Sequence, residues 1–208
     1  MFRVIQLLLL CFLFVFTPLA VAANVPVILV VGDSISAAYG MQPQQGWVNL
    51  LQQRLRESGF PHQVVNASIS GDTTANGAYR FKSALEKHRP EWVILELGGN
   101  DGLRGLSLQQ MRANLSQMID MAQQRKAQVL LVGIRIPPNY GKRYTDAFYK
   151  IYPELSRQHD TPLVPFLLKG IGGNNELMQD DGIHPNVRAQ PMILDNVWHV
   201  LQPRLKSG

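Results

Sequence analysis

Val27-Ile28-Leu29-Val30-Val31-Gly32-Asp33-Ser34-Ile35-Ser36 is the stretch around which the whole chain is read. An apolar run that stops at a glycine predicts a buried strand followed by a sharp turn, and such a turn can hold a hydroxyl clear of a sheet. Ser34 then stands where a nucleophile needs to stand. Taken alone, Asp33 or Ser34 is equally well read as the cap of the next helix, since both residue types are preferred there. What separates the two readings is the order of segments around this run.

Downstream, Trp47, Leu50, Leu51 and Leu55 recur at helical spacing, and Ser58-Gly59 is a stop signal. A short strand is expected over residues 62–66, a helix over 78–87 that ends near Pro90, and a third strand over 91–97. Ser107 with Gln110 three residues on forms a capping box for a long helix carrying Leu108, Met111, Leu115, Met118, Ile119 and Ala122. A fourth strand follows at 128–134, then a helix at 144–158 with a break expected at Pro153. A fifth strand is expected at 162–166, and a last helix beginning at Asn186 with Ile193, Val197, Trp198 and Leu201. Strands that alternate with helices and are apolar on both faces predict a parallel sheet covered on both sides. The expectation is a three-layer α/β/α sandwich of about five strands in flavodoxin-like order.

In such sheets the functional loops lie beyond the carboxyl ends of the strands. The polar loops fall there: Asn66-Ala67-Ser68-Ile69-Ser70-Gly71-Asp72-Thr73, Gly98-Gly99-Asn100-Asp101-Gly102, and Asp180-Asp181-Gly182-Ile183-His184-Pro185. With the first strand central, Ser34, Gly71 and Asn100 share one pocket and His184 reaches in from the far side. A serine hydroxyl needs an imidazole to take its proton, and the imidazole needs an acceptor to hold its tautomer. Asp181 and His184 are close enough in sequence for one turn to pair them. Donors for an oxyanion are then the backbone N–H groups of Ser34 and Gly71 and the side-chain amide of Asn100.

Each piece has a plainer reading. The glycine-rich Asn100 loop is also an ordinary turn, and Asp180, Asp181 and His184 are potential metal ligands, although no second histidine stands nearby at a ligand spacing. His62, His88, His159 and His199 read as surface or packing residues. Ser36, Ser68 and Ser70 compete with Ser34, but none directly follows a strand with a glycine turn. Asn66 and Asn114 begin glycosylation sequons by pattern only.

At the N-terminus, Met1-Phe2-Arg3 precedes an almost unbroken apolar stretch at residues 7–16, then Ala20-Val21-Ala22. This is the pattern of a cleaved export signal, with the apolar part short for a membrane span. Cleavage is expected after Ala22, leaving residues 23–208 as one domain, periplasmic or secreted, with no stable membrane insertion. An uncleaved anchor is the alternative. Lipid attachment at Cys11 is disfavoured by the bulky Leu10 before it. Cys11 is the only cysteine of the 208 residues, so the expected mature chain has neither disulfide nor thiol nucleophile. Subtracting the single charge of Arg3 from the formal +5 leaves +4, scattered along the chain. No basic run or aromatic RNA-binding motif points to nucleic acid.

Gly32-Asp33-Ser34-Ile35, the Gly71 loop, Gly99-Asn100-Asp101 and Asp181-x-x-His184, in that order, resemble the blocks of the GDSL or SGNH hydrolase family over essentially the whole expected mature chain. Ile35 replaces the leucine of the family's motif, a conservative apolar change. The longer blocks, from Asn66 to Thr73, Glu96 to Gly105 and Met178 to Pro185, are similar to the family's periplasmic acyl-CoA thioesterases, arylesterases and lysophospholipases of Gram-negative bacteria. The resemblance implies Ser34 as nucleophile through an acyl-enzyme, His184 as base, Asp181 as its partner, and Gly71 with Asn100 in the oxyanion hole. It implies no cofactor and no metal, small acyl esters or thioesters as partners, and a monomer. The apolar loop at 134–140, with Ile136, Pro137, Pro138 and Tyr140, is expected to wall the acyl site, and Arg135, Lys142 and Arg143 to meet substrate phosphates. The alternatives are a carbohydrate acetylesterase of the same family and a non-catalytic lipid-binding protein.

Overall fold

Each of the five expected strands joins a single sheet. The computed structural model describes residues 25–206; the export signal expected at residues 1–22, with Cys11, lies outside the described residues. The strands are β1 (Val27–Gly32), β2 (Gln63–Asn66), β3 (Trp92–Glu96), β4 (Gln128–Val132) and β5 (Leu163–Val164), all parallel, in the order β2-β1-β3-β4-β5. This is the flavodoxin-like order, with β1 between β2 and β3 and the chain reversing direction of travel between β1 and β3.

Alternate residues of the strands feed two cores. Ile28, Val30, Trp92, Ile94, Leu130 and Val132 pack on one face, against Trp47, Leu51 and Leu55 of α1 (Trp47–Glu57) and Ile193, Val197 and Leu201 of the C-terminal helix (Gln190–Leu201). Leu29, Val31, Val93, Leu95, Val129 and Leu131 pack on the other. Their partners come from α2 (Thr74–His88), α4 (Leu108–Gln124) and α5 (Lys142–Gln158). A short helix, α3 (Gly99–Leu103), follows β3, and the C-terminal helix is α6. The result is the expected three-layer α/β/α sandwich.

Several local expectations need correction. The Ser34 turn does not cap α1, whose N-cap is Gly46; it closes instead on itself, with Ala37 N–H donating to Asp33 O at 2.9 Å and Tyr39 N–H to Ser34 O at 3.0 Å. Helix α2 starts four residues before the expected Ala78, because Thr73 caps it by accepting from Asn76 N–H. Only half of the capping box at α4 forms: Ser107 accepts from Gln110 N–H, while the Gln110 side chain turns to Asn114. Strand β5 is two residues long, bracketed by Pro162 and Pro165, which have no N–H for a ladder. Helix α5 runs straight through Pro153. An interior proline costs about 3 kcal/mol, but Phe148, Ile151, Tyr152 and Leu155 are buried on both sides of it, and each such side chain is worth roughly 1.5–3 kcal/mol.

Candidate active site

The carboxyl ends of β1 and β3 bring the first two polar loops together, and their register places Gly32 opposite Glu96. Ser34 is half-buried just past that point. His184 Nε2 lies 2.9 Å from Ser34 Oγ, and His184 Nδ1 lies 2.6 Å from Asp181 Oδ2. The other Asp181 oxygen accepts from the backbone N–H groups of Ile183 and His184, both at 2.9 Å. This tight turn is fixed at its base by the Met178–Pro185 bridge and by Gln179 N–H donating to His184 O at 2.7 Å. Tyr39 lays its ring against the imidazole, centroids 4.4 Å apart. Desolvation pushes the Asp181 carboxyl up, but hydrogen bonds from the His184 backbone, its ring and the Ile183 N–H outweigh it and hold Asp181 down at about 2. An ionised Asp181 keeps Nδ1 protonated, which leaves Nε2 free to accept the Ser34 proton.

On the other side of Ser34, Asn100 stands at the start of α3. The preceding Gly98 has φ +117° and a Cβ there would lie 2.4 Å from the Tyr152 hydroxyl, so only glycine fits the turn that aims Asn100 at the site. Asn100 Nδ2 donates to Asp72 O at 3.0 Å and to Asp33 Oδ2 at 3.3 Å. Arg104, at the end of α3, donates to Gly71 O at 3.2 Å and to Asn100 Oδ1 at 3.4 Å. The next residue, Asp101, serves the scaffold: it accepts from both the N–H and the hydroxyl of Thr74 and so ties α3 to the start of α2. Gly71 has φ +84°, and among the hydrogen bonds of the described residues neither its N–H nor that of Ser34 is used.

Beneath the Ser34 turn lies a buried acidic pair that the sequence did not disclose. Glu96 accepts from Ser36 Oγ at 2.7 Å and from Asp33 N–H at 3.3 Å. Burial, reinforced by the Asp33 charge, pushes Glu96 well above the usual carboxylate range. Burial likewise raises Asp33 to about 6, against the opposing pull of the Ile35 N–H and of His184. A carboxyl raised on folding contributes stability that is complete below its unfolded value of 3.8 and is lost as pH rises through about 6. Asp181 works in the opposite sense, its contribution being lost only as pH falls through about 2. The thermal midpoint should therefore fall between about pH 4 and about pH 6, and Asp33→Asn should flatten that fall. A variant that keeps the full wild-type pH dependence in differential scanning calorimetry would show that another group is responsible.

A cavity of about 790 Å³ opens beside Ser34, His184 and Asn100. Ile134, Arg135, Ile136, Pro137 and Pro138 form one side of it, as expected for the loop after β4, and Phe166, Leu167, Leu168 and Met178 form the other. Tyr140 does not line it. Its hydroxyl donates to Leu103 O at 3.0 Å and its ring leans on Tyr144, which turns it into a separate hollow with Lys142 and Arg143. Lys142 pairs with Asp146, and the Arg135 guanidinium lies over the Tyr149 ring, 3.9 Å from its centroid. Among the described residues no three His, Cys, Asp or Glu side chains gather as a metal would require, and no helix is long and apolar enough to cross a membrane.

Residues 30–190 match the GDSL-like lipase/acylhydrolase family. Esterase TesA of Pseudomonas aeruginosa is 53% identical over 178 residues, 86% of this chain and 89% of that protein. Thioesterase 1/protease 1/lysophospholipase L1 of Escherichia coli K12 is 46% identical over 182 residues, 88% and 86% of the two chains. Among solved structures, the psychrotrophic esterase EstA from Pseudoalteromonas sp., inhibited by monoethylphosphonate, superposes with a TM-score of 0.82 at 39% identity, covering 86% of this chain and 97% of that one. The chain belongs to the GDSL-like lipase/acylhydrolase family and is an enzyme that hydrolyses ester bonds.

Proposed function

We propose that this enzyme hydrolyses oxyesters and thioesters of fatty acyl chains through an acyl-enzyme on Ser34, with arylesterase, acyl-CoA thioesterase and lysophospholipase activities like those its relatives are named for. The observation that carries this reading is the continuous chain of short contacts Ser34–His184–Asp181 at the mouth of an apolar cavity. Ser34 Oγ attacks the acyl carbonyl as His184 Nε2 takes its proton, and Asp181 stabilises the imidazolium that forms. The tetrahedral oxygen is met by the N–H groups of Ser34 and Gly71 and by Asn100 Nδ2. Of the two Asn100 bonds, the 3.3 Å contact to Asp33 is the weaker and is the one that yields to the oxyanion. His184 then protonates the leaving group, and water, activated by the same imidazole, releases the acid.

Ile136, Pro137 and Pro138, with Ile134, supply the wall against which the acyl chain lies; Tyr140 is not among the residues that line the cavity. The wall also weighs against an acetylesterase of sugars, whose acyl group would leave most of the cavity unused, and a lipid-binding protein would have no need of the aligned triad. A mature chain starting near Ala23, exported as a single catalytic domain, fits the N-terminal sequence. To test the reading, a short aryl ester, a long-chain acyl thioester and acetylated xylan are assayed side by side. The first two should be hydrolysed and the third should not; the reverse pattern would favour the acetylesterase. Within the aryl ester series, Ile136→Ala should lower kcat/KM for long chains relative to acetyl by about fivefold, roughly the loss of one or two buried methylenes. An unchanged chain-length profile in a folded variant would remove this wall from the acyl site.

A further inference from the structure

We propose that Arg104 is a positioning residue of the oxyanion hole, acting through Asn100 and the Gly71 loop; the inference rests on the roles of Ser34, Gly71 and Asn100 proposed above. Arg104 is exposed at the C-cap of α3, where its guanidinium reaches back over the site. Its Nη2 is shared between Gly71 O at 3.2 Å and Asn100 Oδ1 at 3.4 Å, one acceptor on each wall of the hole. No other side chain among the described residues bonds to both Gly71 and Asn100.

Three physical consequences follow from that bridge. First, it fixes which way the Asn100 amide faces. With Oδ1 held against a cation and Nδ2 held by Asp72 O and Asp33, the flipped amide would set its oxygen against a carbonyl and a carboxylate and its NH₂ against the guanidinium. Second, a positive charge on Oδ1 polarises the amide, so that its N–H is a stronger donor at the moment negative charge develops on substrate. Third, the bridge sets the spacing of the walls. The base of the Gly71 loop is anchored from α2, where Arg80 bonds to both Asp72 and Ala67 O. Toward α3 the loop is held by the Asn100–Asp72 contact and by Arg104. Gly71, with its left-handed backbone and no side chain, has little of its own to keep its N–H aimed.

An arginine acting this way should matter to rate and hardly at all to stability. Losing a single oxyanion donor costs about 10²–10³ in turnover, so loosening two donors without removing either should cost less. Arg104→Ala is expected to lower kcat/KM for a short aryl ester about tenfold, with a thermal midpoint close to wild type because exposed side chains contribute little. Arg104→Lys, which keeps the charge but not the forked geometry, should fall between. Added guanidinium ion, well below denaturing concentration, should restore part of the lost rate in Arg104→Ala and none in wild type.

The deciding arm is a double-mutant cycle with Asn100→Ala. If Arg104 works through Asn100, its removal should cost clearly less in the Asn100→Ala background than in wild type. Losses that multiply in full, or an Arg104→Ala enzyme within about twofold of wild type while Asn100→Ala loses ~100-fold, would overturn the inference and leave the oxyanion hole as proposed. An Asn100→Ala enzyme of near wild-type activity would instead overturn the oxyanion assignment itself, and the inference with it.

Discussion

Ser34→Ala should abolish ester hydrolysis, a loss on the order of 10⁴-fold or more, while circular dichroism and the thermal midpoint stay near wild type. The asymmetry follows from what Ser34 Oγ touches. Its hydrogen bond is to His184 Nε2 at 2.9 Å, at a half-buried turn that Ala37, Tyr39 and Asp33 hold through backbone bonds. One such side-chain bond contributes only about 0.5–1.5 kcal/mol to stability. The same atom is the one that would become covalently bonded to the acyl group, so its removal deletes the route rather than weakening it. Assay of the purified variant on a short aryl ester, beside a thermal melt, checks both halves. Retention of most activity would mean that Ser34 is not the nucleophile, and Ser36, buried and committed to Glu96, would be no substitute.

His184→Ala should be nearly as severe, since serine without its base loses the same step, whereas Asp181→Asn should cost about ten- to a hundredfold less than His184→Ala. Asparagine can still accept the two backbone N–H groups through its oxygen, so the turn survives. It loses the acceptor that holds Nδ1–H at 2.6 Å and the negative charge that favours the imidazolium. Turnover of the three proteins on a short aryl ester tests the assignment, and an Asp181→Asn enzyme as damaged as His184→Ala would require a different division of roles between the pair.

Much of the scaffold was legible because the inner strands carry apolar residues on both faces, which strands of a sheet covered on one face alone would not. Residues 28–31 and 92–95 alternate between two cores, and that demands helices on both faces. The contacts among Ser34, His184 and Asp181 were legible for a related reason: Ser34 follows a strand, and Asp181 and His184 share a turn short enough to pair them without knowledge of the fold. What could not be read were contacts set by register and by loop direction. Glu96 looks in sequence like the polar end of a strand; only its pairing opposite Gly32 brings it under Asp33 and buries it. Tyr140 shares a loop with Ile136, but the short helical turn at Pro138–Tyr140 swings it onto Leu103 and away from the cavity. Arg104 carries no local signal at all, since its partners Gly71 and Asn100 are joined by the packing of two loops from different strands.

The central claim is that Ser34 Oγ, activated by His184, becomes acylated. It is tested most directly by treating the purified enzyme with an aryl alkylphosphonate and mapping the adduct by peptide mass spectrometry. A relative of this fold has been crystallised inhibited by monoethylphosphonate, so the reagent class is known to suit such a site. The account predicts complete inactivation with one phosphonyl group per chain, located on Ser34, and no labelling of the His184→Ala variant on the same time scale. Inactivation with the label on another residue, or full activity with Ser34 modified, would contradict it.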